Sequence, residues 1–145
     1  MYVASTQRLT LAGAREIVAA ATASAEASGI AISVVVVDAG GHPVLIERME
    51  GGRFHTVHSA AAKAICAASN RRPTGPAGAQ GQALDAIHAI GLALAAGSER
   101  WTALEGGCPI VMAGECIGGV GVSGGSFEFD DRVAREAVEA IGATW

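Results

Sequence analysis

His55 and His58 stand three residues apart in a run, His55 to Ser69, that contains no glycine or proline. In a helix this spacing sets both imidazoles on one face, and Ala62 and Cys66 continue the same stripe. Two imidazoles so placed can bind a metal, supply an axial haem ligand, or act as general acid and base near neutral pH. The plainer reading of each is a solvated or hydrogen-bonded histidine near a helix start. His88, in an apolar stretch, reads as a satisfied core or interface residue, and His42, in a turn, as an exposed one. Arg48 ends an apolar run, and its planar guanidinium suits a carboxylate. Lys63 is the only lysine and lies one position off the histidine stripe. It offers a site amine, or a cation that snorkels to water. Glu105 and Asp130 place carboxylates beside glycine-rich segments, although Asp130 also fits the charge of a helix start. Trp101 can stack on a flat ligand or close the core.

Glycine supplies the second set of candidates. Gly119-Val120-Gly121-Val122-Ser123-Gly124 matches GxGxxG, but its glycines fall inside an expected strand. A dinucleotide site needs a helix opening within the motif and an acidic residue on a later strand. The residues after Gly124 read as one helix, so that strand is missing. A strand so rich in glycine marks close approach of another backbone or a flat ligand. Gly106-Gly107 and Gly124-Gly125 can meet at one end of a hairpin. With Ser123 and the helix start at Ser126, their amides form a candidate oxyanion site. The alternative is that these glycines only serve tight turns.

The elements that must position these groups follow from periodicity. Thr10 caps a first helix with Leu11, Ala14, Val18, Ala21 and Ala25 at helical spacing, and Gly29 stops it. Residues 30–37 are a β-branched run typical of a strand buried on both faces. A turn at Asp38–His42 leads into a returning strand from Pro43 to Met49. His55 to Ser69 and Ala83 to Ala96 read as helices separated by a Pro- and Gly-rich loop. The second of these is apolar nearly all round, so it is expected to be sandwiched in the domain or buried against another subunit. Cys108–Met112 and Cys116–Val122 form a second hairpin, and Ser126 caps a last helix. Hairpins alternating with helices imply an α+β fold with a single antiparallel sheet flanked by helices.

The 145 residues fit one domain, expected over 1–145. Half are hydrophobic and 17% are charged, which excludes global disorder. A formal charge of −4 and a single lysine exclude a polybasic nucleic-acid or anionic-membrane surface. Three cysteines without a CxxC read as reduced thiols, and no signal peptide or membrane span is expected. The expected location is the cytoplasm. The apolar third helix and the low charged fraction predict a homo-oligomer.

Asp38-Ala39-Gly40-Gly41-His42, Arg48-Met49-Glu50-Gly51, Ala62-Lys63-Ala64 and Arg72-Pro73-Thr74 form an ordered series. It continues with Gly106-Gly107-Cys108-Pro109-Ile110 and the block from Ile117 to Gly125. From about Leu9 onward this series resembles the GlcG/HbpS-like family. The resemblance implies a profilin-like or PAS-like sheet, homo-oligomeric assembly, and haem binding or degradation, with relatives beside cobalamin chemistry. His55 and His58 depart from the family, which often carries small or acidic residues there.

Two functions follow as expectations. The first is a haem or tetrapyrrole binder, with His55 or His58 as axial ligand and Arg48 on the propionates. The second is a cofactor-independent lyase or isomerase acting on a small carboxylated or aromatic compound. It would use His55 and His58 as acid and base, Lys63 and Glu105 in support, and Arg48 with the glycine amides as anion clamp. The full ligand set expected is Arg48, Trp101, Gly106, Gly107, Ser123, Gly124, Gly125 and Asp130. The site is expected between the second helix and the glycine hairpin.

Overall fold

The computed structural model describes residues 1–145. Its elements run α1 (Leu11–Ser28), β1 (Ser33–Asp38), β2 (Pro43–Arg48), α2 (Phe54–Asn70), α3 (Ala86–Ala96), β3 (Gly107–Met112), β4 (Glu115–Ser123) and α4 (Phe127–Glu139). The Thr10 hydroxyl accepts from the Gly13 amide to start α1, and Gly29, at a φ of 67°, ends it. Ser126 starts α4 in the same way, accepting from the Phe129 amide, with Glu128 and Asp130 in the positive first turn.

The four strands form one sheet in the order β2-β1-β4-β3, and every neighbouring pair is antiparallel. The two expected hairpins thus lie side by side, joined where β1 pairs with β4 from Ser33↔Ser123 to Asp38↔Gly118. α1 and α4 pack together on one face, and α2 alone covers the other. The alternation of β1 feeds both layers. Val34 and Val36 join Ile17, Val18, Val133 and Val138 beneath α1 and α4, while Val35 and Val37 meet Ala60, Ala64 and Ala68 of α2.

β4 explains the GxGxxG match. Its valines, Val120 and Val122, enter the α1/α4 core. Gly119 and Gly121 face α2, where a Cβ on Gly119 would lie 3.1 Å from the Ala68 amide nitrogen and one on Gly121 2.7 Å from that of Ala64. Ala60, Ala64 and Ala68 recur every four residues on the helix side, so two backbones meet almost bare. The motif is a packing device.

The structure corrects the reading of α3. The helix starts at Ala86 because Asp85 caps it, three residues later than the periodicity suggests. It is not sandwiched within the chain, for none of its residues is buried. Elsewhere the boundaries agree within a few residues. No helix is long and apolar enough to cross a membrane.

Candidate functional site

The strap that follows α3, residues 98–104, lies against the outer side of α2. Cys66 Sγ points at the Thr102 carbonyl, 3.5 Å away, and the Leu104 amide donates to Thr102 Oγ1 at 3.1 Å. Between strap and helix is a half-open cavity of about 320 Å³, walled by His58, Ser59, Ala62, Ser98, Glu99, Thr102 and Leu104. Further along α2 a second cavity of about 370 Å³ lies between the Gly40-Gly41 turn, Ile65 and Ser69 on one side and Arg100 and Trp101 on the other. The histidine stripe therefore runs from solvent at His55, past the cavity at His58 and Ala62, to buried Cys66 beneath the strap.

The four histidines differ in how their rings are held. His42 Nδ1 lies 3.3 Å from Asp38 Oδ1, and His88 Nδ1 lies 2.9 Å from Asp85 Oδ1. The rings of His55 and His58 make no hydrogen bond. His55 meets the Phe54 ring edge-on at 5.6 Å and lies outside the cavity wall. His58 thus combines free ring nitrogens with a cavity.

Lys63 points the other way, into the protein. Its ammonium donates to the Val122 carbonyl at 2.8 Å and to Asp130 Oδ2 at 3.1 Å, and lysine and aspartate are each 2% exposed. Burial pulls the lysine below its ordinary range, while Asp130 and then half-buried Glu105 pull it back. Gly106 completes the cluster, since a Cβ there would come within 3.0 Å of Lys63 Nζ and 2.8 Å of Asp130 Cβ.

The glycine amides are not the open oxyanion site that the sequence suggests. The Gly107 amide donates to Thr74 Oγ1 at 2.8 Å, and that of Gly125 to Asp130 Oδ1 at 2.9 Å. Gly106 and Gly107 are buried. Ser123 is buried opposite Ser33 in the β1–β4 ladder. Gly124 borders a separate cavity of about 190 Å³ with Ala31, Gly51, Arg53 and Thr56. Arg48 donates to the Gly52 carbonyl at 2.6 Å and borders neither α2 cavity. Trp101 is 8% exposed, with one edge on the second cavity.

The expected residues therefore fall in separate places. His58 lines the first cavity and Trp101, within the strap, the second, whereas Lys63, Glu105, Gly106, Gly107, Gly125 and Asp130 gather around the buried ion pair. Ser98, Glu99, Arg100, Thr102 and Leu104 were missed by sequence reasoning. Their segment has no period, and its only signal is its place between the Gly97 stop and Gly106-Gly107. No group of three or more His, Cys, Asp or Glu side chains could hold a metal ion.

An antiparallel sheet with one helix on one face and two on the other defines an α+β protein of the profilin-like type. The chain belongs to the GlcG/HbpS-like family, since the family described as "Haem degrading protein HbpS-like" matches residues 9–139. Protein GlcG of Escherichia coli strain K12 is 32% identical over 110 residues, 76% of this chain and 77% of that protein. Protein ORFY of Klebsiella pneumoniae superposes with a TM-score of 0.86 at 32% identity, covering 100% of this chain and 98% of the other. A PduOC:heme complex superposes at 0.80 with 27% identity, covering 94% of this chain and 97% of that one.

Proposed function

We propose that this chain is a small-molecule-binding protein whose ligand is haem or a related tetrapyrrole, held against the His58 cavity, and that it acts as a homo-oligomer in the cytoplasm. The observation that carries the reading is the His58 ring, which has free nitrogens and stands on a cavity wall. The donor set fits haem better than a bare metal ion. A bare ion needs three or more protein ligands in one place, and no such group exists. A porphyrin brings its own four nitrogens and asks the protein for one or two more. The haem-named family and the neighbour solved with haem support the same reading.

His58 offers an imidazole nitrogen to the ligand, and Ala62 and Leu104 offer apolar wall. The hydroxyls of Ser98 and Thr102 line the same cavity, and Arg100 stands beside the neighbouring one as a cation for a carboxylate. Haem, when bound, supplies an iron whose reactivity its axial ligand and surrounding polarity set. The free thiols Cys66, Cys108 and Cys116 suit a reducing compartment.

The test is the absorption spectrum of the purified protein during titration with haemin. A Soret band saturating at one equivalent per site is expected, with loss of that band in His58→Ala. A spectrum indistinguishable from free haemin would overturn the reading.

A further inference from the structure

None of the eleven residues of α3, Ala86–Ala96, is buried. Ile87 is 82% exposed, Leu94 78%, Ile90 61% and Leu92 39%, and no charged residue interrupts the helix. Its start is nevertheless built, because Asp85 accepts from the His88 amide and also holds the His88 ring. A helix under ~12–15 residues is marginal in water without packing, and central Gly91 weakens this one further. Its own chain supplies no packing. Something outside the chain must cover it.

We propose that α3 is an arm that packs on a second copy of this chain, along the exposed stripe of that copy's α2, and roofs that copy's His58 cavity. The inference rests on the homo-oligomer proposed above and gives that oligomer a surface. An uncharged helix has nothing to offer a charged partner, so its complement must be apolar. The chain itself presents one. Phe54 is 81% exposed on α2, and half-buried Val57, Ala61 and Ile65 follow it at helical spacing. Leu104, 43% exposed, extends this stripe across the cavity.

The geometry suits a mutual exchange. α3 meets its own chain where Ala96 borders one cavity and Ser98 the other. Packing of each copy's α3 on the other's α2 is the self-complementary pairing of a two-fold symmetric dimer. The large exposed side chains of α3, with Phe54 and Leu104, present an area of the order of the ~800 Å² that one partner gives a standard interface. The roof also answers a shortfall. The cavity lies at the low end of the ~300–1,000 Å³ typical of ligand sites and is half open, so a macrocycle would stand partly in water without it.

The test measures the mass of the full chain in solution by light scattering at micromolar concentration, with Ile90→Glu and Leu94→Glu beside the wild type. The wild type should be a dimer or a multiple of one, and each variant a folded monomer, because Ile90 and Leu94 are mostly exposed in their own chain, at 61% and 78%. Haemin affinity should fall about tenfold or more in the monomeric variants. A second measurement needs no charge on α3. In a Cys116→Ser background, copies carrying Ala61→Cys are mixed with copies carrying Ile90→Cys. A disulfide should link the two kinds of copy far more efficiently in the mixture than in either alone. An oligomer whose mass ignores both charges and whose mixed copies fail to link overturns the arm and leaves the homo-oligomer standing. A monomeric wild type overturns both. A monomeric variant that binds haemin as tightly as the wild type overturns the roof. A wild-type oligomer that ignores haemin overturns the ligand reading, while the disulfide still decides the arm.

Discussion

Lys63 Nζ lies 3.1 Å from Asp130 Oδ2, with both side chains closed off from water. The contact ties the middle of α2 to the first turn of α4, and the lysine's second bond, to the Val122 carbonyl, adds the end of β4. Asp130 uses its other oxygen to hold the Gly125 amide, which fixes the turn between β4 and α4. Every buried side-chain nitrogen and oxygen in the protein has a partner. The only lysine of the chain thus joins α2, β4 and α4 at the end of the sheet, although the two helices cover opposite faces.

Removing one member of this pair should cost far more than removing both. Lys63→Met leaves a buried carboxylate without its cation, at a cost of ~3–5 kcal/mol. Lys63→Met with Asp130→Asn removes both charges and should recover part of that loss. Urea unfolding of both variants beside the wild type checks this. A double variant at least as unstable as the single one would show that the pair's hydrogen bonds matter more than its charge balance.

Gly121→Ala should be more damaging than its size suggests. The added methyl would meet the Ala60 carbonyl and stand 2.7 Å from the Ala64 amide nitrogen, both backbone atoms of α2. Neither can rotate away, so the helix must lift off β4, at ~3 kcal/mol or more. Gly114→Ala is a poor control because its φ of 80° strains any side chain. Gly75→Ala is the better one, because the added methyl meets only Glu105 Cγ, at 3.9 Å, and the φ there is not positive, so it should be close to neutral. Thermal melts of the two would separate helix–sheet contact from a general intolerance of alanine.

Much of the fold was legible because local signals agreed with tertiary need. Thr10 and Gly29 bound α1, the Asp38–His42 turn joins a β-branched run to its returning strand, and Ser126 opens α4. The site was less legible for a physical reason. The histidine stripe was readable from spacing, yet its opposing wall comes from residues 98–104, which no period marks. The Gly106-Gly107 and Gly124-Gly125 pairs suggested open amides, but Thr74, more than thirty residues away in sequence, takes one and Asp130 another. Lys63 looked like a site amine because sequence does not show which face of a uniformly alanine-rich helix turns inward. For α3, apolar composition pointed to burial, but its own fold leaves it uncovered.

Cys108 should make stability fall on the alkaline side. Its thiol is buried in β3, and burial pushes it up to about 12 from an ordinary 9.0. The native state therefore holds the thiol proton more tightly than the unfolded chain does. This contribution is fully present below pH 9.0 and is lost between 9.0 and about 12, at up to ~1.4 kcal/mol per pH unit. Lys63 acts in the opposite sense, since its lowered value lets the unfolded chain bind the extra proton below 10.5. The difference between wild type and Cys108→Ala isolates the thiol. It should shrink steadily as pH rises through that window, and a constant difference would exclude the thiol as the cause.

The sharpest prediction concerns His58 against the other three histidines. His42 and His88 are each held by an aspartate, and His55 stands against Phe54 outside the cavity wall. Only His58 pairs a free ring with a cavity, so the variants should rank unequally. His58→Ala should abolish the Soret response to haemin, whereas His55→Ala should keep most of it and His42→Ala all of it. The exposed imidazole packs on nothing in the core, so His58→Ala should shift unfolding by under ~1 kcal/mol. Added imidazole should restore the band in His58→Ala, because the vacated space accepts a free ring as ligand. That rescue separates ligation from a general distortion of α2, which no small molecule would repair. Stoichiometric haemin binding by His58→Ala with an unshifted band would move the ligand away from this cavity. Loss of the band in His55→Ala instead would place the ligand at the exposed start of α2, beside Phe54.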